Sequence, residues 1–330
     1  MTTAASIASP FSLDVHLTER QTALELRQEA VAGLTAHPKE LAPKWFYDPR
    51  GSRLFEDITR LPEYYPTRRE AEILAQRARL IADLTAADTL IELGSGSSEK
   101  TLLLLEAFNR TSQLKRFVPF DVCEDAIVSA AERISRAFPR LAIHGVVGDF
   151  DRHLGRLPTQ GRRMFIFLGG TLGNFKPRAR AEFLARVRGQ LREGDSFLLG
   201  ADLVKAPRRL NAAYNDRQGV TAAFNLNILT VLNRALRANF NISNFEHLAR
   251  YVEANQWVEM LLRSKIRQSV YLADAGCTLQ FEAGEEMRTE VSTKFLLDGL
   301  ERELNEAGLS PAHSWTDPSG DFSVMLAFPN

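Results

Sequence analysis

Residues 91–101 read IELGSGSSEKT, a short apolar run that breaks into a glycine and serine loop before a leucine-rich, helix-like segment. Gly94 and Gly96 therefore fall where a strand gives way to a helix, which is where an α/β sheet binds its cofactor. A dinucleotide fingerprint needs a third glycine three residues after Gly96, and this chain has Glu99 there. A carboxylate near the helix start repels a pyrophosphate, and no Lys-Ser/Thr pair stands in the frame of a phosphate loop. The stretch thus disfavours NAD, FAD, ATP and GTP.

Acidic residues end the next two predicted strands. RFVPFDV (116–122) carries Asp121, and LAIHGVVGDF (141–150) ends in Asp149 and Phe150. A carboxylate after the second strand can accept hydrogen bonds from both ribose hydroxyls, and Asp149 can accept from an adenine amino group while Phe150 covers the base. Each aspartate could instead cap the helix that follows it. Together with the glycine loop they predict a cationic nucleoside without phosphates, S-adenosylmethionine, and a class I methyltransferase.

The middle of the chain alternates strand-like and helix-like segments, which predicts a parallel sheet covered on both faces. Two further strands are predicted in RMFIFLGG (163–170) and SFLLGADL (196–203), and helices are predicted at 100–108, 124–138 and 178–191. After a predicted helix at 293–307, the chain ends in two strand-like runs joined by the turn at 317–320. So short a turn requires antiparallel strands. The predicted fold class is α/β, a Rossmann-like methyltransferase core with an antiparallel C-terminal strand.

Two regions depart from this alternation and predict a second, mixed α+β domain that binds the substrate. Residues 1–67 are helix-like and then irregular, and residues 205–292 contain two predicted helices (211–238 and 244–254) before a β-like run at 257–281. The predicted division is a cofactor-binding core of residues 68–204 and 293–330, and a substrate-recognition domain of residues 1–67 and 205–292.

Composition excludes several classes of protein. Lys plus Arg and Asp plus Glu both total 41, so the formal charge of zero provides no basic field for nucleic acid or an anionic membrane. The two cysteines, Cys123 and Cys277, and the six scattered histidines show no metal-ligand spacing. The first thirty residues lack the apolar core of a signal peptide, and no apolar run approaches the ~18 residues of a membrane span. We expect a cytoplasmic monomer that acts on a small molecule without a metal.

Four strings of the chain are long and unusual: WFYDPRGSRLFEDITRLPEYYPTR (45–68), ELGSGSSEKT (92–101), FLGGTLGNF (167–175) and MRTEVSTKF (287–295). In this order they resemble the histidine Nα-methyltransferases of ergothioneine biosynthesis, and the resemblance extends from about residue 41 to the end of the chain. It implies transfer of three methyl groups from S-adenosylmethionine to the α-amino nitrogen of L-histidine, giving hercynine, and it implies a methyltransferase core with a separate substrate domain.

The resemblance also implies roles for individual residues. The cofactor positions of the family fall on Gly94, Lys100, Asp121, Asp149 and Phe150. Its histidine-binding positions fall on Tyr47, Tyr64, Gly169, Asn174, Tyr214, Met260, Glu290 and Ser292.

These residue types suit an amino acid that carries an imidazole. Asn174, Tyr64 and Tyr214 can donate neutral hydrogen bonds to the carboxylate without placing a second cation beside the sulfonium. Tyrosines also commonly serve as packing, and Asn174 could be a turn residue. Glu290 and Ser292 are two apart in an extended run, so both side chains point to one face, where Glu290 can accept an imidazole N–H while Ser292 bonds the other ring nitrogen. A solvated edge strand is the alternative. Met260 would form an apolar wall, or simply fill the core.

Tyr47, through water, and the Gly169 carbonyl are the candidates to orient the amine and to carry protons away, and with Asn174 they form the predicted catalytic set. No strong general base is expected, because positioning alone can contribute about 7–11 kcal/mol to such a reaction. The alternatives are methylation of another amino acid or imidazole metabolite, a non-catalytic module that binds S-adenosylmethionine, and a nucleic-acid methyltransferase, which the charge disfavours.

Overall fold

The computed structural model describes residues 11–96, 98–111 and 113–330 of the chain. Its helices are α1 (Glu19–Thr35), α2 (Pro49–Thr59), α3 (Pro66–Thr85), α4 (Thr101–Arg110), α5 (Glu124–Ala137), α6 (Pro177–Gln190), α7 (Pro207–Tyr214), α8 (Val220–Leu236) and α9 (Leu297–Glu306). Its strands are β1 (Phe11–Val15), β2 (Lys39–Glu40), β3 (Thr89–Leu93), β4 (Arg116–Asp121), β5 (Ala142–Val147), β6 (Arg163–Phe167), β7 (Ser196–Asp202), β8 (Phe245–Val252), β9 (Trp257–Ser264), β10 (Gln268–Leu272), β11 (Cys277–Phe281), β12 (Glu286–Thr293), β13 (Leu309–Thr316) and β14 (Phe322–Pro329).

The central sheet has eight strands in the order β1-β5-β4-β3-β6-β7-β14-β13. Strands β1 and β3 to β7 pair in parallel, whereas β14 pairs antiparallel with both β7 and β13. The predicted parallel sheet with an antiparallel end is therefore confirmed. Because the strand order reverses direction between β3 and β6, the carboxyl ends of these strands border the crevice in which open α/β sheets bind ligands.

Helices cover both faces of this sheet, as its continuous apolar strands require. Buried side chains of α3, α4 and α5 pack on one face, and those of α6 and α9 pack on the other. Strands β3 and β6 are buried along their whole length. The sheet is thus a rigid platform for the loops at its carboxyl edge.

The remaining elements form a second apolar core of their own. Helices α1, α2, α7 and α8 pack against a four-stranded sheet in the order β2-β12-β9-β8 and against the hairpin of β10 and β11. Strand β12 is the last element of this unit, and the chain returns from it to the central sheet through a parallel bridge between Phe295 and Leu203. The second unit is therefore attached beside the end of β7.

Three sequence predictions need correction. Residues 11–15, expected in the second domain, form β1 and extend the central sheet, because their backbone pairs with the open edge of β5; residues 1–10 lie outside the described residues. Residues 244–254, expected to be helical, contain β8, which pairs with β9 over eight residues. The helix expected at 211–238 is two helices, and the Asp216 carboxylate between them accepts from the backbone N–H groups of Val220 and Thr221 at the start of α8.

Among the described residues, no helix combines the length and the apolar character that crossing a membrane requires.

Candidate active site

A cavity that is partly open to solvent, with about 410 Å³ of empty space including that opening, lies between the carboxyl edge of the central sheet and the second unit. Both units contribute to its wall, together with the residues that join them. The lining residues are Tyr47, Phe55, Tyr64, Pro66, Gly169, Gly170, Thr171, Asn174, Asp202, Tyr214, Glu290, Ser292 and Lys294. Seven of the eight histidine-site positions predicted from sequence are among them, so residues far apart in the chain meet at one place.

The core contributes the loop that follows β6. Gly169 has a positive φ of 80°, and its N–H donates to both carboxylate oxygens of the buried Glu70, at 2.9 and 3.0 Å. A short 3₁₀ turn then leads to Asn174. At Gly173 a Cβ atom would lie 2.7 Å from the Thr293 carbonyl oxygen, so only glycine lets this turn approach the end of β12. That close approach places Asn174 in the same wall as Ser292.

The second unit contributes Glu290 and Ser292 from β12. Both side chains are buried and both line the cavity, as the two-residue period of a strand predicts. The pairing of β12 with β9 shifts register between Arg288 and Glu290, which is a bulge. Bulges re-aim the side chains that follow them, and here Glu290 is the first residue after the shift.

A buried charge cluster lies behind Ser292. The ammonium of Lys294 contacts the Asp202 carboxylate at 2.8 Å, the Tyr214 hydroxyl at 2.8 Å and the Ser292 hydroxyl at 2.9 Å. Asp202 ends β7 and also contacts the Lys205 ammonium at 2.6 Å. Each buried charge therefore has a partner of opposite sign, as burial requires.

Aromatic rings line another part of the cavity. The Tyr47 ring meets Phe55 and Phe224 edge-on at 5.7 and 5.8 Å, and the Tyr64 ring meets Phe55 at 6.3 Å and Tyr214 at 6.2 Å. Burial raises the pKa of all three tyrosine hydroxyls well above their usual range, and nearby negative charge adds to this. These phenols are neutral near pH 7, so they can donate hydrogen bonds but cannot act as phenolate bases.

The predicted cofactor loop borders the same edge of the sheet. Asp121 ends β4, and its carboxylate accepts from the backbone N–H of Gly96 at 2.9 Å and of Cys123 at 3.0 Å. Burial raises the pKa of Asp121, and these backbone hydrogen bonds oppose the rise. Each carboxylate oxygen can accept a second hydrogen bond, so Asp121 retains capacity for a ligand. The Gly94 N–H donates to the Phe120 carbonyl at 2.8 Å, which joins this loop to β4.

The other predicted cofactor residues already have protein partners. Asp149 is buried, and its carboxylate accepts from the Asp151 N–H at 2.7 Å and lies 3.3 Å from the Lys44 ammonium. The ring of Phe150 stacks on Phe120 with centroids 5.5 Å apart. Lys100 forms an ion pair with Glu70, the same carboxylate that holds the Gly169 N–H. Glu70 thus joins the loop after β3 to the loop after β6.

Met260 is the one predicted substrate residue outside the cavity lining. It is buried in the apolar core of the second unit, on β9, where it is the register partner of Glu290. It therefore supports the strand that carries Glu290.

Sequence reasoning missed Lys294, Asp202 and Glu70. Lys294 continues the two-residue alternation of Glu290 and Ser292, and Asp202 ends a core strand as Asp121 does. The sequence pattern could therefore have predicted both as site residues. Glu70 had no such signal, because it lies on a helix remote in sequence from both loops that it joins. Within residues 11–96, 98–111 and 113–330, no cluster of His, Cys, Asp and Glu could hold a metal ion.

Comparison with known proteins agrees with this geometry. Residues 26–329 match the family described as histidine-specific, SAM-dependent methyltransferases. The chain is 51% identical to the histidine N-alpha-methyltransferase of Mycolicibacterium smegmatis, covering 96% of this chain and 98% of that protein. It is also 51% identical to the enzyme of the same name from Mycobacterium tuberculosis, over 94% of this chain and 97% of that one. Ergothioneine biosynthesis protein 1 of Neurospora crassa is 28% identical over 84% of this chain and 32% of its own length.

The chain belongs to the histidine-specific, S-adenosylmethionine-dependent methyltransferase family. The family, the enzyme class and the methyl donor predicted from the sequence are thereby confirmed.

The loop after β3 suits this methyl donor. The Ser95 side chain is buried there, and its hydroxyl has no hydrogen-bond partner among the described residues. A buried polar group without a partner is costly, so its hydroxyl suits a polar ligand. Together with the free acceptor capacity of Asp121, it provides polar groups for a nucleoside. Ser97 of this loop lies outside the described residues.

We predict a pH dependence of histidine binding in this methyltransferase. Burial raises the pKa of the Glu290 carboxyl to about 7, opposed by the positive charge of Lys294. The other ionisable groups at the cavity are Asp202, which is paired, and the tyrosine hydroxyls, which are neutral. Protonation removes the carboxylate as an acceptor, so affinity for L-histidine should fall as the pH drops below about 7. Titration calorimetry across this range checks it.

The Glu290→Gln variant should show a much shallower decline on the acid side. Glu286→Gln is the matched control, because Glu286 lies on the same strand but pairs with Arg250 and Arg263 outside the cavity. An unchanged acid-side decline in Glu290→Gln would contradict the prediction.

Proposed function

We propose that this methyltransferase transfers three methyl groups in succession from S-adenosylmethionine to the α-amino nitrogen of L-histidine, giving hercynine as a first step towards ergothioneine. The observation that carries the proposal is that Glu290 and Ser292 line the same cavity as Asn174 and Gly169. An imidazole and an amino acid head group can therefore be held at once, the ring by β12 of the second unit and the head group by the loop after β6 together with tyrosines of the second unit. Two relatives at 51% identity that are named histidine N-alpha-methyltransferase support it.

Asn174, Tyr64 and Tyr214 are proposed to bind the substrate carboxylate. All three line the cavity and can donate a neutral hydrogen bond. The raised pKa values of the two tyrosines keep their hydroxyls protonated, as this role requires. Glu290 and Ser292 are proposed to bind the imidazole ring from the facing strand.

The amine lies, in this proposal, between the Gly169 carbonyl and Tyr47. The Glu70 carboxylate accepts from the Gly169 N–H and thereby anchors the loop that carries this carbonyl. S-adenosylmethionine supplies the methyl group when it is bound, with Asp121, Asp149, Phe150, Gly94 and Lys100 as its proposed contacts. The new N–C bond forms as the S–C bond breaks, and the nitrogen releases a proton between successive transfers.

No residue of the cavity is proposed as a strong base. The three tyrosine hydroxyls are too weakly acidic to be ionised, and Glu290 is assigned to the ring. A nearby sulfonium lowers the pKa of the substrate amine, so the neutral amine can form without a strong base. Rate acceleration then comes chiefly from alignment, and the aromatic wall can accept the final quaternary ammonium by cation–π attraction.

Mass spectrometry tests the proposed reaction. Purified protein with S-adenosylmethionine and L-histidine should give products with one, two and three added methyl groups, ending in the trimethylated form. Nα,Nα-dimethylhistidine should be converted to the same end product in a single transfer. Tryptophan and tyrosine serve as matched amino acids without the imidazole. Methylation of either one, with none on histidine, would contradict the substrate and favour the alternative of another amino acid.

We also propose that the protein works as a cytoplasmic monomer without a nucleic-acid or membrane partner. The formal charge of zero supports the absence of a nucleic-acid or anionic-membrane partner, since it offers no extended basic field.

A further inference from the structure

Lys294 is a fully buried cation in the wall of a cavity that is proposed to bind an amino acid. An ammonium has three N–H donors, and here all three are used, by Asp202, by the Tyr214 hydroxyl and by the Ser292 hydroxyl. Lys294 therefore has no donor left for a ligand. Its effect on a substrate must act through the two hydroxyl groups that it contacts.

The number of hydrogens on those two hydroxyls limits the hydrogen bonds that they can form with a ligand. The Tyr214 and Ser292 oxygens each accept from Lys294 and lie 2.8 Å from each other, so one of them donates to the other. The donor of that bond has no hydrogen left. The pair thus presents one O–H group and one free lone pair, and it cannot donate two hydrogen bonds to a ligand at the same time.

Either Tyr214 donates to Ser292 or Ser292 donates to Tyr214. The chemistry of histidine decides between these two arrangements. A carboxylate can only accept, so if Tyr214 binds the carboxylate it must keep its hydrogen, and Ser292 must donate to Tyr214. Ser292 then has only a lone pair to offer the ring. Glu290 is likewise an acceptor when ionised. Both groups that face the ring would require an N–H from it.

We propose that Lys294 is a positioning residue that makes the cavity bind histidine as an imidazolium, with one ring N–H donated to Glu290 and the other to Ser292. This rests on the proposed function, and it deepens it by naming the ring form that is recognised. The Glu290 carboxylate balances the charge of the ring, while the Asp202 carboxylate is shared by the Lys294 and Lys205 ammonium groups, so that cluster keeps one positive charge.

The proposal also accounts for specificity. An indole has one N–H and a phenyl ring has none, so tryptophan or phenylalanine would leave at least one buried acceptor without a donor. Sites built to hydrogen-bond a polar group reject analogues that lack it strongly, because their own polar groups remain unpaired.

Nuclear magnetic resonance of histidine labelled with ¹⁵N in the ring tests this directly in the unaltered protein. The complex is formed with S-adenosylhomocysteine at about pH 8, above the usual imidazole pKa of about 6.5. Both ring nitrogens should carry a proton in the bound state, whereas the free ring carries one. A bound ring with one unprotonated nitrogen would overturn the proposal about the ring form but leave the proposed function standing. Absence of any bound histidine would overturn the proposed function as well.

Variants test whether Lys294 acts through the two hydroxyls. Lys294→Met should weaken histidine binding by roughly 10- to 100-fold, with S-adenosylhomocysteine affinity unchanged. In a Tyr214→Phe, Ser292→Ala background the same change should have less than about a 2-fold further effect, because nothing remains for it to orient. An equal loss in both backgrounds would overturn the positioning role.

Lys205→Met is the matched control for these variants. Lys205 is also buried and pairs with the same Asp202, but its other contacts are to the Tyr65 hydroxyl and the Leu203 carbonyl. Its removal should leave both ring nitrogens protonated. Loss of the second ring proton in Lys205→Met would show that the whole buried cluster, and not the contacts of Lys294 with the two hydroxyls, sets the ring form, and would overturn the role assigned to Lys294.

Discussion

Glu290→Ala is expected to weaken L-histidine binding by about 2–5 kcal/mol, roughly 30-fold to several thousand-fold in Kd, while the affinity for S-adenosylhomocysteine stays the same. The carboxyl is buried in the cavity, and water cannot replace it well as a partner for the ring N–H. It lies on a strand of the second unit, whereas the proposed cofactor contacts follow strands of the central sheet. Two calorimetric titrations, one with each ligand, measure the separation.

Loss of folding should not complicate the Glu290→Ala experiment. The pKa of this carboxyl is raised to about 7 chiefly by burial, so the native structure disfavours its charge. Lys294 keeps Asp202 as its partner when Glu290 is removed. The melting temperature should therefore be unchanged or higher, and Glu286→Gln on the same strand should bind histidine normally. Parallel losses for both ligands would contradict the assignment of Glu290 to the substrate.

Asp121→Ala should have the opposite pattern. We expect S-adenosylhomocysteine affinity to fall by at least about 100-fold, because two hydrogen bonds from ribose hydroxyls to a charged acceptor contribute about 1.5–3 kcal/mol each. The carboxylate also accepts from the Gly96 and Cys123 N–H groups, so its loss loosens the loop that surrounds the nucleoside. Binding of L-histidine in the absence of cofactor should be little changed. Calorimetry with each ligand alone gives both values.

Asp125→Asn provides the matched control for Asp121→Ala. Asp125 is exposed in the first turn of α5, four residues further along the chain, so its change should affect neither ligand. If Asp121→Ala bound S-adenosylhomocysteine as tightly as the unaltered protein, the cofactor would have to lie elsewhere along the sheet edge. Together with Glu290→Ala, the variant would then separate an error in the cofactor site from an error in the substrate site.

Local patterns predicted the central sheet well because each of its elements has a strong signal of its own. Apolar runs gave β3, β4, β5, β6 and β7, and the four-residue turn after β13 required an antiparallel return. The segment at 244–254 was wrongly predicted to be a helix because its apolar residues also fit a helical period. It is a strand because β9 offers an open edge to pair with, and local sequence does not contain that information.

The site was likewise well predicted where contiguous motifs carry it and poorly predicted where a residue's role depends on a partner distant in the chain. The family motifs located Tyr47, Tyr64, Gly169, Asn174 and the β12 pair, and the cavity brings them together. Met260 is buried in the core of the second unit as the register partner of Glu290, and its role in the site stays a prediction. Lys294 was overlooked although it stands two residues after Ser292, because a lysine in a strand is ordinarily exposed and nothing local to it predicts Asp202 as its partner.

The amino-acid sequence by itself determined the fold class, the family and the methyl donor, because these depend on short-range periodicity and on contiguous motifs. Only the tertiary structure decided which charges are buried together, how Glu70 ties two loops to one carboxylate, and how the Lys294 ammonium donates to the Tyr214 and Ser292 hydroxyls. Hydrogen-bond satisfaction and pKa depend on distances between groups remote in the chain, and those distances exist only after the two units have packed against each other.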